Sequence, residues 1–355
     1  MTVTYHAGRR IQATQADFAG TPAVSGGWKE VARTTLSSGS HTIDVSSIPD
    51  KSYYMVLTNV LGFSSAADVY GTFNNDASNN YAIRRSTEGG SESLSVNQPR
   101  YLIAWSPNQT TAHFAINNIS SISGQEKLII NHDAYQSTAG SGTAPSRTES
   151  VSKWVNTSDA ITSIKSTAGG TTQQFNSGSE VVVLGWDPSD THTTNFWEEL
   201  ASVEYSGGTA LDSGTFTSKK YLWIQAYLKI ATGTVNSNLW RFNADTGNNY
   251  SARYSRDGAS DSTNTSISHL NINHGSGTKN NQLVNIFVIN NASNEKLIIS
   301  NSNSQGASGS GTAPNRIEHV GKWANTSNQI TSIQCTQGNS LNFESGTILK
   351  VWGSD

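Results

Sequence analysis

The sequence is poor in the residues that cross-linking and ionic chemistry need. It has a single cysteine, Cys335, two methionines and seven prolines in 355 residues. Only 14% of the residues are charged, against about 25% in an ordinary globular protein. One cysteine excludes an intrachain disulfide and a thiolate metal cluster. We therefore expect a chain that is made in a cytoplasm and is stable without covalent cross-links.

Long apolar runs and a strong net charge are also missing. No segment approaches the roughly 18 apolar residues of a membrane helix, and the first 20 residues lack the apolar core of a signal peptide. The formal charge is −3 and the isoelectric point is about 6.2, whereas a nucleic-acid-binding domain typically has a value above about 9. We expect neither membrane insertion nor nucleic-acid binding.

Short polar residues are abundant instead. The chain has 52 Ser, 37 Thr and 34 Asn, about 35% of the sequence, which equals its whole hydrophobic fraction. These side chains compete with the helical backbone for hydrogen bonds and favour strands, turns and caps. The 9 Trp, 12 Tyr and 10 Phe supply enough apolar surface to offset chain entropy. The composition predicts an ordered, all-β protein.

The chain repeats itself at an offset of 169 residues. Residues 126–164 and 295–333 share 24 identities in 39 positions without a gap, including EKLII, GSGTAP, KW-x-NTS and ITSI. A period this long indicates a duplicated domain rather than a solenoid unit of about 20–50 residues. The predicted segments are an extended N-terminal arm at 1–27, a first domain at 28–187, a linker at 188–196 and a second domain at 197–355.

Short strands separated by Gly, Asn, Ser and Asp clusters fill each copy. The runs YLWIQAYLKI and LVNIFVIN are apolar on both alternating sets of positions, which is typical of a central strand covered on both faces. Eight to ten strands per copy favour a two-sheet antiparallel β-sandwich, most commonly a jelly roll at this size. In the second copy the predicted strands are 198–205, 220–230, 239–243, 250–255, 265–273, 283–290, 296–300, 316–323, 329–336 and 347–352.

Both copies also share a layout. Each opens on a Trp-led strand (WKEVARTTL, WEELASVEY), carries an FN-x-D-x-x-NNY loop in its first third, and ends with ITSI, a Gly/Asn turn and a final strand. This layout resembles the sandwich domains of tailed-virus structural proteins, especially the repeated modules of phage tail, fibre and capsid-decorating proteins. The opening TYHAGRRIQ is similar to N-terminal arms of structural proteins of marine viruses.

The resemblance implies a non-enzymatic virion protein. Such a protein would be synthesised in the host cytoplasm and displayed on the particle surface as a capsid, decoration or fibre component. It would self-associate as a homo-oligomer, with other virion structural proteins as partners.

The N-terminal arm lies outside both repeats. It contains Tyr5, His6, Arg9 and Arg10 within six positions. A segment too short to bury a core either frays or docks on a partner, and assembly proteins often add a strand to a neighbouring sheet. We predict that the arm docks on neighbouring subunits, with fraying as the alternative.

Four pairs stand out among the charged residues that recur in both copies. In a chain so poor in charge, retained charges are expected to have assigned partners. One interpretation is cross-strand ion pairs worth about 0.2–1 kcal/mol each, and the other is contacts between subunits. The positions are Arg84 with Arg253, Arg147 with Arg316, Glu149 with Glu318, and Lys153 with Lys322.

Catalytic and metal-binding motifs are weak or missing. GSGTAP lacks the third glycine of a phosphate-binding loop, and there is no G-x-S-x-G or H-E-x-x-H. Asp76 and Asp245 lie in matching loops rich in oxygen ligands, which suits calcium, but Asx turns explain the same residues. We predict no catalytic site and no cofactor, with calcium as the alternative in these loops.

Aromatic residues suggest a second function. Lectin sites stack sugar rings on aromatic side chains, and three tryptophans have no counterpart in the other copy: Trp105, Trp223 and Trp240. Burial in the sandwich core is the ordinary role of such rings. The alternative function is therefore a pair of carbohydrate-binding modules that attach to a glycan on the host surface.

Overall fold

A computed structural model of the chain describes residues 24–25, 27–105, 110–188, 190–192, 195–230, 237–274, 281–305, 310–338 and 342–355. Every helix or strand assigned in this part of the chain is a β-strand, so the all-β prediction is confirmed. The strands form two eight-stranded sheets, two four-stranded sheets and one two-stranded sheet.

The first set of sheets is formed by residues 29–186, which we call the first module. The short strand β1 precedes it. The strands are β1 (Val24–Ser25), β2 (Lys29–Thr35), β3 (Thr42–Val45), β4 (Tyr53–Val60), β5 (Val69–Phe73), β6 (Tyr81–Thr87), β7 (Ser93–Gln98), β8 (Tyr101–Ala104), β9 (His113–Ser120), β10 (Lys127–Tyr135), β11 (Ser146–Trp154), β12 (Ile164–Ala168) and β13 (Glu180–Trp186).

The second set is formed by residues 198–354, which we call the second module. The short strand β14 precedes it. The strands are β14 (Thr191–His192), β15 (Glu198–Glu204), β16 (Ala210–Asp212), β17 (Tyr221–Leu228), β18 (Ser237–Phe242), β19 (Tyr250–Arg256), β20 (Ser262–Ile267), β21 (Leu270–His274), β22 (Gln282–Ile289), β23 (Lys296–Ser304), β24 (Asn315–Trp323), β25 (Ile333–Gln337) and β26 (Ile348–Ser354).

The two modules have the same strand order. In the first, the large sheet runs β2-β13-β4-β9-β10-β11-β6-β7 and the small sheet runs β3-β12-β5-β8; in the second, β15-β26-β17-β22-β23-β24-β19-β20 and β16-β25-β18-β21. The four strands β2-β13-β4-β9 and the four strands β3-β12-β5-β8 make an eight-stranded jelly roll. The hairpins β6–β7 and β10–β11 extend its larger sheet. Two tandem antiparallel jelly-roll sandwiches from an internal duplication are therefore confirmed.

Each module encloses its own apolar core between its two sheets. The aromatic residues of the two cores match closely. Tyr81 stacks on Trp154 with ring centroids 6.3 Å apart, and Tyr250 stacks on Trp323 at the same distance. The matched sequence segments thus build the same packing twice.

A third apolar cluster lies between the modules. Strand β17 shows why it forms: Leu222 and Ile224 point into the core of the second module, whereas Tyr221 joins residues of the first module. The other members come from the large sheet of each module, except Ala112, Phe196 and Trp197, which lie in connections. The two large sheets pack face to face. On the face of YLWIQAYLKI that points away from the second core, Tyr221 lies between these layers but Tyr227 is 42% exposed, so the predicted cover on both faces is present only at the start of the strand.

The strand predictions fail in two places. The predicted strand 265–273 is wrong as a single strand, because Ser266 has a positive φ of 49° and the chain then passes from the large sheet to the small one. The short strand β16 was not predicted, since three residues give too little alternation to detect.

The arm residues Tyr5, His6, Arg9 and Arg10 lie outside the described residues. At the end of the predicted arm, Val24 and Ser25 pair with His192 and Thr191. This part of the arm therefore contacts the predicted linker of its own chain.

Candidate functional site

The contact between the two large sheets, which we call the module interface, has an apolar centre. The first module contributes Met55, Leu57 and Phe114, among others, and the second contributes Leu297 and Ile299. All five are nearly or fully buried. Burial of this kind contributes about 25 cal/mol per Å² of apolar surface, so the cluster holds the modules together.

An ion cluster lies beside this apolar centre. The Arg147 guanidinium binds the Asp261 carboxylate through two hydrogen bonds, with Nη2–Oδ1 at 2.7 Å and Nε–Oδ2 at 3.1 Å. Arg147 also contacts Glu149 on its own strand and lies 3.7 Å from Glu318. Because the Arg147 and Asp261 side chains are only 4% and 3% exposed, this ion pair is removed from water and joins the two modules.

Burial changes the protonation of the groups around this cluster. It raises the pKa of Glu149 and of Glu318, and the negative charge of Glu149 adds to the effect on Glu318. It lowers the pKa of His132 to about 4 and that of His319 to about 3. These shifts are typical of a closed, desolvated interface.

Gly89 allows the modules to approach at this point. It has a positive φ of 66°, and a Cβ atom there would lie 2.4 Å from Asp261 Oδ1. Any other residue would be strained in this conformation and would displace the carboxylate. The glycine therefore lets the first module's backbone pass close to Asp261 without displacing its carboxylate from Arg147.

The first copy of GSGTAP, at residues 140–145, docks on the second module. The Ser266 N–H donates to Ser141 O at 2.8 Å, and Arg253 Nε donates to Pro145 O at 3.0 Å. The segment connects β10 and β11, as a strand connection should. It also serves as a contact between the modules.

A buried lysine holds the same connection. Lys322 Nζ donates to Gln136 O at 3.1 Å and to Thr138 O at 2.5 Å. Glu295 lies 3.6 Å from Lys322 and accepts a hydrogen bond from the Gly140 N–H at 2.5 Å. Burial lowers the pKa of Lys322, against the opposing effect of Glu295.

A second ionic contact lies elsewhere in the module interface. Glu180 of the first module accepts hydrogen bonds from Tyr221 Oη at 2.5 Å and Thr35 Oγ1 at 2.7 Å, and lies 2.7 Å from Lys220 Nζ. Burial acts to raise the pKa of Glu180, but the bonds from Lys220, Tyr221 and Thr35 outweigh it and hold the pKa below its usual value.

The first module leaves an apolar face uncovered. In the second module Leu297, Ile299 and Val320 are at most 3% exposed in the module interface. Leu94 and Val96 on β7, at 62% and 66% exposed, continue the uncovered face of the first module. The counterparts of Leu297, Ile299 and Val320 in the first module lie 169 positions earlier. They are Leu128, Ile130 and Val151, and their side chains are 56%, 57% and 47% exposed. We call Leu94, Val96, Leu128, Ile130 and Val151 the open face. A contiguous exposed apolar patch of this kind marks an interaction site.

The recurring charges occupy different settings in the two modules. Arg84 pairs with Glu92, and Lys153 with Glu126 at 2.9 Å, on the exposed surface of the first module. Arg316 lies 3.4 Å from Glu318 and is exposed. The remaining residues lie at the module interface and are Arg147, Glu149, Arg253, Glu318 and Lys322. From the sequence we expected either cross-strand ion pairs or contacts between subunits. Contacts between the two modules of one chain were not among those alternatives.

The tryptophans differ in accessibility. Trp240 is fully buried in the second core, so its prediction as a sugar-stacking residue is wrong: no ring face is accessible. The Arg85 guanidinium carbon lies 3.6 Å from the Trp105 ring centroid, so one face of that ring is occupied. Trp223 is half-buried and stacks on Phe287 with ring centroids 5.7 Å apart.

The matched aspartate loops use their carboxylates internally. Asp76 Oδ2 accepts a hydrogen bond from Trp154 Nε1 at 2.7 Å, and Asp245 Oδ2 accepts one from Trp323 Nε1 at 2.7 Å. Both carboxylates also accept the backbone N–H two residues later, as in an Asx turn. Among the described residues no group of three or more His, Cys, Asp or Glu is placed to hold a metal ion.

Comparison with known proteins gives no close relative. No family model matches the chain, and no curated protein matches it. Similar solved structures include mouse laminin alpha1 domains LG4-5 (TM-score 0.20, 11% identity, 93% of this chain and 92% of that chain) and the LG1-3 region of laminin alpha2 (TM-score 0.20, 8% identity, 90% and 68%). Neisserial surface protein A matches with a TM-score of 0.13 and 8% identity, over 81% of this chain and 99% of that chain.

TM-scores this low carry no argument about fold or function. The class of this protein therefore rests on its own strand order and contacts: it is a duplicated jelly-roll protein whose modules are joined by a buried interface. No helix in the described part of the chain is long and apolar enough to cross a membrane.

Proposed function

We propose that this protein is a non-enzymatic structural component of a virus particle, which self-associates and is displayed on the particle surface. One observation carries the proposal of self-association. The open face of the first module is exposed, while the matching residues of the second module are buried against a neighbouring module. A surface with the same residues is thus suited to the same kind of contact.

The viral setting is supported by the resemblance of the repeated layout to tailed-virus modules. In this setting the arm residues Tyr5, His6, Arg9 and Arg10 dock on neighbouring subunits or on other virion proteins. The few charges and many hydroxyl and amide groups suit wet, polar contacts around an apolar centre.

Detection in purified particles tests this function. We expect peptides of this chain in mass spectra of density-purified particles from the native source, and antibody labelling on the particle surface in electron micrographs. Absence from purified particles would contradict the proposal. Gold labelling only after the particles are opened would contradict the surface location.

A second candidate is glycan binding, favoured by one aromatic surface. Trp223 is half-buried, and Tyr227, four residues later on the same strand of the second module's large sheet, is 42% exposed. Aromatic rings on an open sheet can stack sugars. Binding on a glycan array that is lost in Trp223→Ala but kept in Trp105→Ala would support this function.

A further inference from the structure

We propose that copies of this chain join head to tail, with the second module of one chain seated on the first module of the next. The contacts would repeat those that join the two modules within one chain. This inference rests on the proposed self-association and specifies its geometry and residues.

The module interface uses two different surfaces, one from each module. The first module contributes positions such as Asn59 and Phe114, and the second contributes Leu297 and Ile299. The interface is therefore heterologous, although the modules have the same fold. Each module consequently keeps exposed a part of the surface that the other module uses.

The unused surface of the first module is an exposed apolar patch, and that of the second module carries two exposed apolar residues among polar ones. On the first module it is the open face defined above. On the second module Leu283 lies 169 residues after Phe114, and Tyr227 pairs with Leu283 as Asn59 pairs with Phe114. Leu283 and Tyr227 are 49% and 42% exposed. These two residues form what we call the second face, which corresponds to part of the first module's half of the module interface; Trp223, four residues before Tyr227 on the same strand, already packs against the apolar cluster of that interface.

The ion pairs of the interface have complementary counterparts on these surfaces. The Arg147–Asp261 pair corresponds to Arg316 and Glu92, because each partner lies 169 residues from its match. The Arg316 and Glu92 side chains are 61% and 59% exposed. An arginine on the second module and a carboxylate on the first thus remain exposed, with the same charges as the buried pair.

A second ion pair follows the same rule. Arg253 of the second module lies 3.5 Å from Glu88 of the first. Their counterparts are Arg84 and Asp257, and both are exposed. The signs are again opposite, so two separate ionic contacts match in a head-to-tail contact.

The second copy of GSGTAP has no docking site within the described chain. Residues 310–314 are all exposed, whereas Ala144 and Pro145 of the first copy are buried against the second module. The sequence is nevertheless identical in both copies. Because the second connection has the same sequence as the first but is uncovered, it is suited to dock on another copy of the chain.

That docking site is already formed on the first module. The first GSGTAP is received by the N–H of Ser266, which has a φ of 49°; Asn97, its counterpart, has a φ of 52°. Arg84 corresponds to Arg253, which donates to Pro145 O. Backbone conformation and donor are therefore both present on the exposed surface of the first module. A heterologous contact of this kind builds a ring or an open filament.

Two variants of the full chain test the inference. Ile130→Asp disables the open face and Leu283→Asp disables the second face; both positions are exposed, so the fold should be retained. Val155→Asp is the matched control, because Val155 is 39% exposed and its counterpart Ala324 is outside the apolar cluster of the module interface. The readout is the mass distribution in sedimentation velocity, with circular dichroism to verify folding.

Each variant alone should associate at least about thirtyfold more weakly than the wild type, the scale of losing a central interface residue. An equimolar mixture of Ile130→Asp and Leu283→Asp should form dimers of twice the chain mass and nothing larger, since one intact contact remains. The Val155→Asp control should associate like the wild type.

Association of Leu283→Asp alone, or a mixture that stays monomeric, would overturn the head-to-tail contact. If Ile130→Asp fails to fold, charge reversal gives the same test: Glu92→Arg and Arg316→Glu should each weaken association, and the double variant should restore it. Failure of these tests with the protein still present in purified particles would overturn the inference and leave the proposed function standing.

Discussion

Arg147 and Asp261, 114 residues apart in the sequence, form a two-bond ion pair that joins the modules, and both side chains are almost fully buried. A buried pair of this kind fixes geometry more than it adds stability, because desolvation offsets much of the attraction. Loss of one partner is costly, since it leaves the other charge buried.

We expect Asp261→Asn to lower the free energy of unfolding by about 3 kcal/mol, because the Arg147 guanidinium loses its buried carboxylate. Urea denaturation followed by fluorescence measures this value. The matched control is Glu92→Gln, at the exposed counterpart of Asp261, which should cost about 0–1 kcal/mol in the isolated chain. Equal costs at both positions would contradict the role of burial.

The buried His113 predicts a dependence of stability on pH. Burial lowers its pKa to about 3 in the folded chain, against about 6.5 when unfolded. Between these values only the unfolded state binds the proton, so the stability from this residue is lost as the pH falls below about 6.5. The loss is about 1.4 kcal/mol per pH unit.

His113→Gln removes this dependence. Glutamine is the residue that the second module has at the matching position, where Gln282 is buried. Urea denaturation from pH 7 to pH 5 should give a shallower loss of stability in the variant, while the difference between the two proteins stays constant above about pH 7. Parallel pH profiles throughout would show that folding does not lower the pKa of His113.

The aspartate loops predict matched losses of stability. Asp245→Ala leaves Trp323 Nε1 without its acceptor, which should cost about 1–3 kcal/mol. Asp76→Ala does the same to Trp154 and should cost a similar amount. Both values come from urea denaturation of the full chain.

Calcium removal separates the two interpretations of these loops. Because the carboxylates already accept two or more hydrogen bonds each, the melting temperature should be the same in millimolar calcium and in a chelator. A clear rise with calcium, lost in Asp245→Ala, would show that the loops bind the ion.

Deletion of residues 2–20 tests the arm. We expect the truncated chain to keep its melting temperature and to lose assembly with its partners, because the arm is outside both modules. Particles that assemble unchanged from the truncated chain would contradict the docking role of Tyr5, His6, Arg9 and Arg10.

The sequence predicted the sandwiches well because strand alternation and the repeat are local signals. In YLWIQAYLKI both alternating sets are apolar, and the structure buries Leu222 in a core and Tyr221 in the module interface. The loops also follow local chemistry, since Asp76 and Asp245 form the same Asx turn with the same tryptophan partner.

The module interface could not be predicted in the same way. Leu128 and Leu297 belong to identical EKLII segments, yet one is 56% exposed and the other 1%. Their difference comes from the neighbouring module, which no local pattern contains. The pairing of Arg147 with Asp261 likewise depends on how the two large sheets pack.

Sedimentation velocity of the full wild-type chain tests self-association most directly. The open face and the second face predict a weight-average mass that rises above 38.0 kDa as the concentration increases from nanomolar to micromolar, and that falls again on dilution. A constant mass of 38.0 kDa across this range would contradict the account.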